Sequence, residues 1–303
     1  MKQYIHALKE VYEKGRFKQG PQASGSYALC GVTMRFKMNE GFPLITVRSL
    51  AGSWKALVSE LLWVLSGSSD ERVLEEKYGV KFWRPWVRPC FELHQQLGFS
   101  LTEGELGPVY GHQLRNFGAT RNSDGTFQNN GRDQLQAVID GIGKFPGYRR
   151  HVITLYNPKD FNAQNGDELV WICTCHGSFI HFMCFEEEGN KKMDMLHLQR
   201  AGDMIVGVPF DIAEYALFFL LVSRVTGYEA NEMVYVVSDA HIYENHSEAS
   251  KEILTRAPKK LPKVSIPDVS ELSIETILRL TVDDFVLSDY DSHPAIKDIP
   301  VEV

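Results

Sequence analysis

The 303-residue chain has no long apolar run. Its longest, Tyr215 to Val222 ("YALFFLLV"), falls far short of the roughly 20 residues that a membrane span needs, so no membrane partner is expected. An excess of positive charge is missing too. Lys and Arg number 32 against 39 Asp and Glu, a formal net charge of −7. That argues against a nucleic-acid partner with a broad footprint, while leaving room for a local basic pocket. Cysteines are few and odd in number: Cys30, Cys90, Cys173, Cys175 and Cys184. Their irregular spacing is no disulfide framework and points to reduced thiols in a cytoplasmic protein. The N-terminus lacks a signal-peptide core; Tyr4, Ile5, Leu8, Val11 and Tyr12 instead mark one face of a helix that stops at Gly15. No Gly/Ser or Pro-rich linker and no repeat divides the chain. Residues 1–303 are therefore expected to form one domain.

What is there is ordinary globular material, 44% hydrophobic and 23% charged. "YALCGVTMRFKM" reads as a strand, and "SWKALVSELLWVLSG" has Trp54, Leu57, Val58, Leu61, Leu62 and Leu65 at helical spacing. A helix is expected from about Leu135 to Gly143, capped by Asp133. The β-branched or aromatic runs "RHVITLYN", "ELVWIC", "SFIHFMCF" and "MDMLHLQ" read as strands. A long helix from about Ile212 to Val225, a strand "MVYVVSDAH" and a helix over "IYENHSEASKEILTR" follow. Strands and helices do not alternate regularly, which favours an α/β (α+β) domain with a mixed or antiparallel sheet over a doubly wound one.

Chemistry concentrates in two places. In "WICTCHGSFIHF", Cys173 and Cys175 would share a strand face, with His176 beside them. A second ligand pair at zinc spacing is missing, so no metal is expected. A Cys–His protease pair is disfavoured because adjacent strand residues point apart. In isolation Cys175 would be a buried structural thiol. Arg149 and Arg150 ("YRRH") and Arg200 ("LQRAGD") alter that, since nearby cations favour a thiolate nucleophile and arginines fork onto phosphate. The second place is "GVPFDIAEYAL", apolar almost throughout with Asp211 in its middle. A buried acid needs a partner. Asp211 is either the cap of the helix starting near Ile212 or a ligand contact.

The series "EGFPLITVRS", "SELLWVLSG", "LGPVYGHQLRNFG", "YRRHVITLYNP", "CTCHGSF", "LHLQRAGDMIVGVPFDIAEYAL", "SDAHIYENH" and the tail "SHPAIKDIPVEV" resembles the thymidylate synthases and their relatives, in order and over nearly the whole chain. The resemblance implies a mixed sheet covered by helices and a sheet-to-sheet homodimer. It implies a nucleoside monophosphate substrate and 5,10-methylenetetrahydrofolate as co-substrate. Cys175 then matches the nucleophile. Arg149, Arg150 and Arg200 match phosphate ligands, the first two reaching in from the partner subunit. Gln199 and Asp203 belong to the same signature, and Asp203 is also tied to the folate. Glu60 and Tyr110 match residues that manage protons and water, and Trp83 a wall of the folate pocket. His241 and Tyr243 match ligands of the sugar hydroxyl, and Val303 a tail that closes over the site.

Three positions depart from the synthases. Asp211 stands where they carry an asparagine that reads uracil. An amide complements uracil's N3–H donor and O4 acceptor, whereas a carboxylic acid donates to cytosine N3 and accepts from its 4-amino group. A carboxylate instead accepts from both if N3 is protonated. Asp211 is shared with the deoxycytidylate hydroxymethylases of this family. Ala201 stands where the synthases have a phosphate-binding serine. Pro21 or Gln22 stands in place of a phosphate-binding arginine, with Lys18 as a substitute donor. Fewer phosphate donors and room for a 2′-hydroxyl resemble the cytidylate hydroxymethylases of nucleoside-antibiotic pathways. The leading reading is a folate-dependent CMP or dCMP 5-hydroxymethylase. The alternatives are a thymidylate synthase (dUMP to dTMP) with an unusual base reader, and a catalytically silent regulator that binds nucleotide or RNA.

Overall fold

A computed structural model describes residues 1–20, 24–161, 174–267 and 273–302. The chain opens with helix α1 (Lys2–Lys14), which buries Tyr4, Ala7, Leu8 and Val11 and stops at Gly15 as the spacing predicts. Strands β1 (Arg16–Lys18) and β2 (Ser26–Lys37) follow. A helical stretch then runs through α2 (Trp54–Leu65), α3 (Glu71–Tyr78), α4 (Arg84–Gln96), α5 (Tyr110–Arg115) and α6 (Gln134–Lys144). Strand β3 (Val152–Ile153) and a single turn, α7 (Pro158–Phe161), lead to β4 (Phe179–Glu187) and β5 (Asn190–Asp203). Helix α8 (Gly207–Val225) crosses to β6 (Glu229–Tyr243). Helix α9 (Ser247–Thr255), strand β7 (Lys263–Ser265), helix α10 (Ile274–Leu278) and strand β8 (Val286–Ser288) end the fold.

Six strands form one mixed sheet in the order β1-β2-β6-β5-β4-β3. Only β5 and β6 run parallel, joined by α8; the other pairs are antiparallel. Strands β7 and β8 form a small antiparallel pair. One sheet face presents Met34, Phe182, Met195, Tyr235 and Val237, all buried, to the helices. Helix α8 is apolar nearly all round, as a helix packed on several sides must be. The β5–β6 register sets Ala201 beside Asp239 and Asp203 beside His241. The carboxyl ends of the two parallel strands thus gather the side chains of the site.

Three differences from the sequence reading have local causes. Only Val152 and Ile153 of "RHVITLYN" are strand. Beyond them the backbone bonds elsewhere: Thr154 N–H donates to Gln134 Oε1 at 3.0 Å, and Leu155 N–H to Gly177 O at 2.9 Å. Helix α8 starts at Gly207, not Ile212, so Asp211 is its fifth residue and not its cap. Gly207 and Pro209 look like helix breakers, but a first-turn proline gives up only an N–H that lacks an intrahelical partner anyway. Helix α4, to which the sequence reading assigned no element, carries Pro85 and Pro89. The segment "ELVWIC" lies outside the described residues.

Candidate active site

Cys175 sits on the turn that enters β4, and the turn is held from several sides. Thr174 Oγ1 donates to Leu155 O at 2.9 Å. Arg200 N–H donates to Cys175 O at 2.7 Å, and Gly177 N–H to His197 Nε2 at 2.9 Å. The phenol of Tyr110, from the first turn of α5, accepts the Cys175 N–H at 3.2 Å and lies 3.2 Å from its Sγ. The O–H and the S–H can each donate in that contact, since the phenol is both donor and acceptor. Burial and the Asp211 charge push the Cys175 thiol up to about 12, against the Tyr110 hydrogen bond and the Arg200 charge. The sequence reading expected a cluster of cations to favour the thiolate. The structure sets only Arg200 against it; Arg149 and Arg150 are exposed, and Arg150 lies over the Tyr148 ring at 4.5 Å.

Beneath the thiol lies a buried polar cluster on α2 and α8. Asp211 Oδ2 accepts from Gln199 Nε2 at 2.7 Å. The Gln199 orientation is fixed by two further bonds. Its Nε2 donates to Ala201 O at 3.0 Å, and its Oε1 accepts from the Tyr235 hydroxyl. Burial, with the Glu60 and Asp203 charges, raises Asp211 to about 8 despite the Gln199 bond. Glu60 Oε1 accepts from Trp83 Nε1 at 2.7 Å, and burial raises this acid to about 7. Glu214, one helical turn after Asp211, is 6% exposed; burial and the Glu60 and Asp211 charges push it well above the carboxylic range. Near neutral pH the pocket therefore favours a proton on Asp211, and burial pushes Glu214 in the same direction.

His176 Nδ1 meets the Tyr215 hydroxyl at 2.8 Å, and its ring stacks on Tyr110 at 4.1 Å. Burial pushes this imidazole down to about 3, so it is neutral. His176, Asp211 and Glu214 offer ligand atoms within 4.8 Å of one another, the one trio among the described residues that could hold a metal ion. It differs from the Cys173, Cys175, His176 group weighed in sequence, and Cys173 lies outside the described residues. Glu214, Tyr215 and His197 escaped the sequence reading. The signal for Glu214 was an acid at i+3 from Asp211 in an apolar helix, hence on the same face.

Around this floor stand the other expected residues. Trp83 is half-buried, 5.6 Å from the Tyr110 ring and 5.3 Å from Trp86, forming an aromatic wall. Asp203 Oδ1 accepts from Ile205 N–H at 2.8 Å and lies 3.4 Å from His246 Nδ1. His241 Nδ1 lies 3.1 Å from Asp239 O, with the Tyr243 ring 5.0 Å away. Lys18 ion-pairs with Asp239, whose carboxyl the His241 and Lys18 contacts hold down at about 2. Pro21, Gln22 and Val303 lie outside the described residues. Their neighbour Glu302 accepts from Ser24 Oγ at 3.0 Å and from Asn245 Nδ2.

This geometry has counterparts among known proteins. The family model for thymidylate synthase matches residues 2–302. The chain is 34% identical over 313 aligned positions to a thymidylate synthase of Mycoplasma mobile (strain ATCC 43663 / 163K / NCTC 11711), covering 98% of each. A match along almost the whole chain, over a mixed sheet covered by helices, leaves one conclusion: the chain belongs to the thymidylate synthase family.

Proposed function

We propose that the protein transfers a one-carbon unit to C5 of a cytosine nucleoside monophosphate and releases it as the 5-hydroxymethyl product. The observation that carries this reading is Asp211. Gln199 donates to one of its oxygens, and the acid is protonated at neutral pH. An acid in this state donates to cytosine N3 and accepts from the 4-amino group, and with the proton shared to N3 the carboxylate accepts from both; against uracil, the acceptor-only carboxylate would face the O4 acceptor. A site built on such pairing rejects the mismatched base by roughly four to five orders of magnitude, because its own polar groups are left unpaired.

In this reading Cys175 adds to C6 and makes C5 nucleophilic. Tyr110 stabilises the sulfur as it gains or loses charge. Arg200, with Arg149 and Arg150 of the partner subunit, holds the phosphate, and Gln199 orients Asp211. His241 and Tyr243 bind the sugar. Trp83 and Asp203 receive the folate, and the Val303 tail closes over it. Bound methylenetetrahydrofolate supplies the one-carbon unit. Ala201 brings no hydroxyl to the phosphate side, which supports ribonucleotide tolerance.

A second reading, methylation of dUMP, is the one that the name of the Mycoplasma relative supports. Both are tested by incubating the protein with methylenetetrahydrofolate and each of CMP, dCMP, UMP and dUMP, then weighing the products. Hydroxymethylcytidylate without dihydrofolate is expected, with loss of cytidylate turnover in Asp211→Asn. Thymidylate with stoichiometric dihydrofolate would establish the second reading instead.

A further inference from the structure

We infer that Glu214 is a positioning residue that holds, opposite Glu60, the water that adds to the methylene carbon of the nucleotide. This deepens the hydroxymethylation reading and rests on it. Glu214 lies one turn beyond Asp211 on α8, with a carboxyl oxygen within 4.8 Å of the Asp211 and His176 ligand atoms. It is 6% exposed. An acid buried for structural reasons is stabilised by a protein partner. Among the described residues Glu214 has neither a hydrogen-bond partner nor an ion pair, and the charges that bear on it are those of Glu60 and Asp211. Its partner therefore arrives from solvent or with the substrate.

The neighbours narrow what that partner is. Asp211 is committed to Gln199, and His176 to Tyr215 and the Tyr110 ring. Glu60 uses one oxygen for Trp83 and keeps the other. Glu60 and Glu214 are thus the two carboxyls left to share a ligand, and a buried water needs two to four such polar partners. Their roles separate by environment. Glu60, whose free oxygen lies beside the Trp83 bond, accepts a proton; Glu214, which burial pushes towards its acid form, donates and accepts hydrogen bonds. In the step, a lone pair of the water oxygen bonds to the methylene carbon, and its proton passes to Glu60. The methylene double bond shifts to C5–C6, the C6–S bond breaks, and Cys175 leaves as thiolate. Nothing is oxidised or reduced.

The test measures competition at the methylene carbon, a ratio that is independent of the amount of folded enzyme. Wild type, Glu214→Ala, Glu214→Asp and Glu214→Gln are turned over with CMP, dCMP and methylenetetrahydrofolate plus a small thiol that traps the methylene as a thioether. Glu214→Ala should raise the thioether-to-hydroxymethyl ratio at least 10-fold, with an intermediate rise for Glu214→Asp. Glu214→Gln, uncharged and nearly isosteric, should stay within about 3-fold of wild type. An unchanged ratio in Glu214→Ala overturns the inference. So does complete loss of C5-hydrogen release in all three variants, because placing a late water leaves that earlier step intact. A wild type that yields only methylated nucleotide and dihydrofolate overturns the hydroxymethylation reading itself, a result distinct from either.

Discussion

At the scale of single residues, the site is a study in withheld ionisation. Asp211 releases its proton near 3.8 in an ordinary setting and at about 8 in the fold. Between those values the native state binds more protons than the unfolded chain, so stability falls as pH rises through this window and is unaffected below it. Glu60 and Glu214 shift in the same direction. Asparagine at position 211 still accepts from Gln199 and has nothing to ionise. Allowing for relaxation around the buried group, Asp211→Asn should therefore gain about 2 kcal/mol over wild type between pH 5 and pH 8. That corresponds to roughly 3 °C in melting temperature at this chain length. Thermal melts of both proteins at pH 5 and pH 8 measure it. A difference that is the same at both pH values would mean that Asp211 ionises freely in the fold. Cytidylate turnover should fall through a basic limb near pH 8 for the same reason, since the cytosine edge requires one proton between N3 and the carboxyl.

At the scale of elements, the nucleophile depends on a turn that tolerates no extra atom. Gly177 adopts φ +65°, and a Cβ there would stand 2.5 Å from both the Tyr215 hydroxyl and Leu155 Cδ1. Its N–H also holds His197. Gly177→Ala combines a left-handed backbone with a clash against two packed elements, a cost of roughly 2–4 kcal/mol. Denaturant titration should show that loss, and activity should drop further than the folded fraction explains, because Cys175 is two residues away. This turn was legible in sequence only through the family resemblance. Strands β2, β4, β5 and β6 were legible from residue pattern alone, as were α2 and the Asp133-capped α6, whose cap accepts from Gln136 N–H at 3.0 Å. What stayed hidden was set by tertiary bonds or by misleading punctuation. Thr154 and Leu155 leave the strand because Gln134 and Gly177 take their N–H groups. Helix α4 forms through two prolines, and α8 begins before Pro209. The acid state of Asp211 was open in the sequence, since it depends on Gln199, on burial and on Glu60, residues far apart along the chain.

At the scale of the whole molecule, the sheet turns one face, with Met34, Phe182, Met195, Tyr235 and Val237 buried, towards the helices. The other carries exposed Phe179 and Phe185 and half-buried Met183, Leu196, Leu198 and Val236. A contiguous apolar sheet face of this kind is normally covered by another surface. A second copy of the chain, sheet against sheet, fits the family and also resolves a puzzle of the site. Arg149 and Arg150 lie exposed on the stretch after α6, whereas Cys175 lies at the entry to β4; among the described residues, Arg200 is the cation that bears on the thiol. In the dimer reading each pocket borrows its two outer arginines from the partner. Cys175→Ala homodimers and Arg149→Ala/Arg150→Ala homodimers should then each be inactive or nearly so, for different reasons. Mixed and allowed to exchange subunits, they form heterodimers in which one pocket has lost both contributions and the other has Cys175 and both arginines intact. Activity should recover to about one quarter of wild type, because half of the dimers are mixed and each carries one complete pocket of two. Subunit exchange is followed independently with differently tagged chains. Recovery near one quarter requires a site built across the interface. Demonstrated exchange without recovery, with each parent homodimer inactive, would place all phosphate ligands, Arg149 and Arg150 included, within the same chain as Cys175.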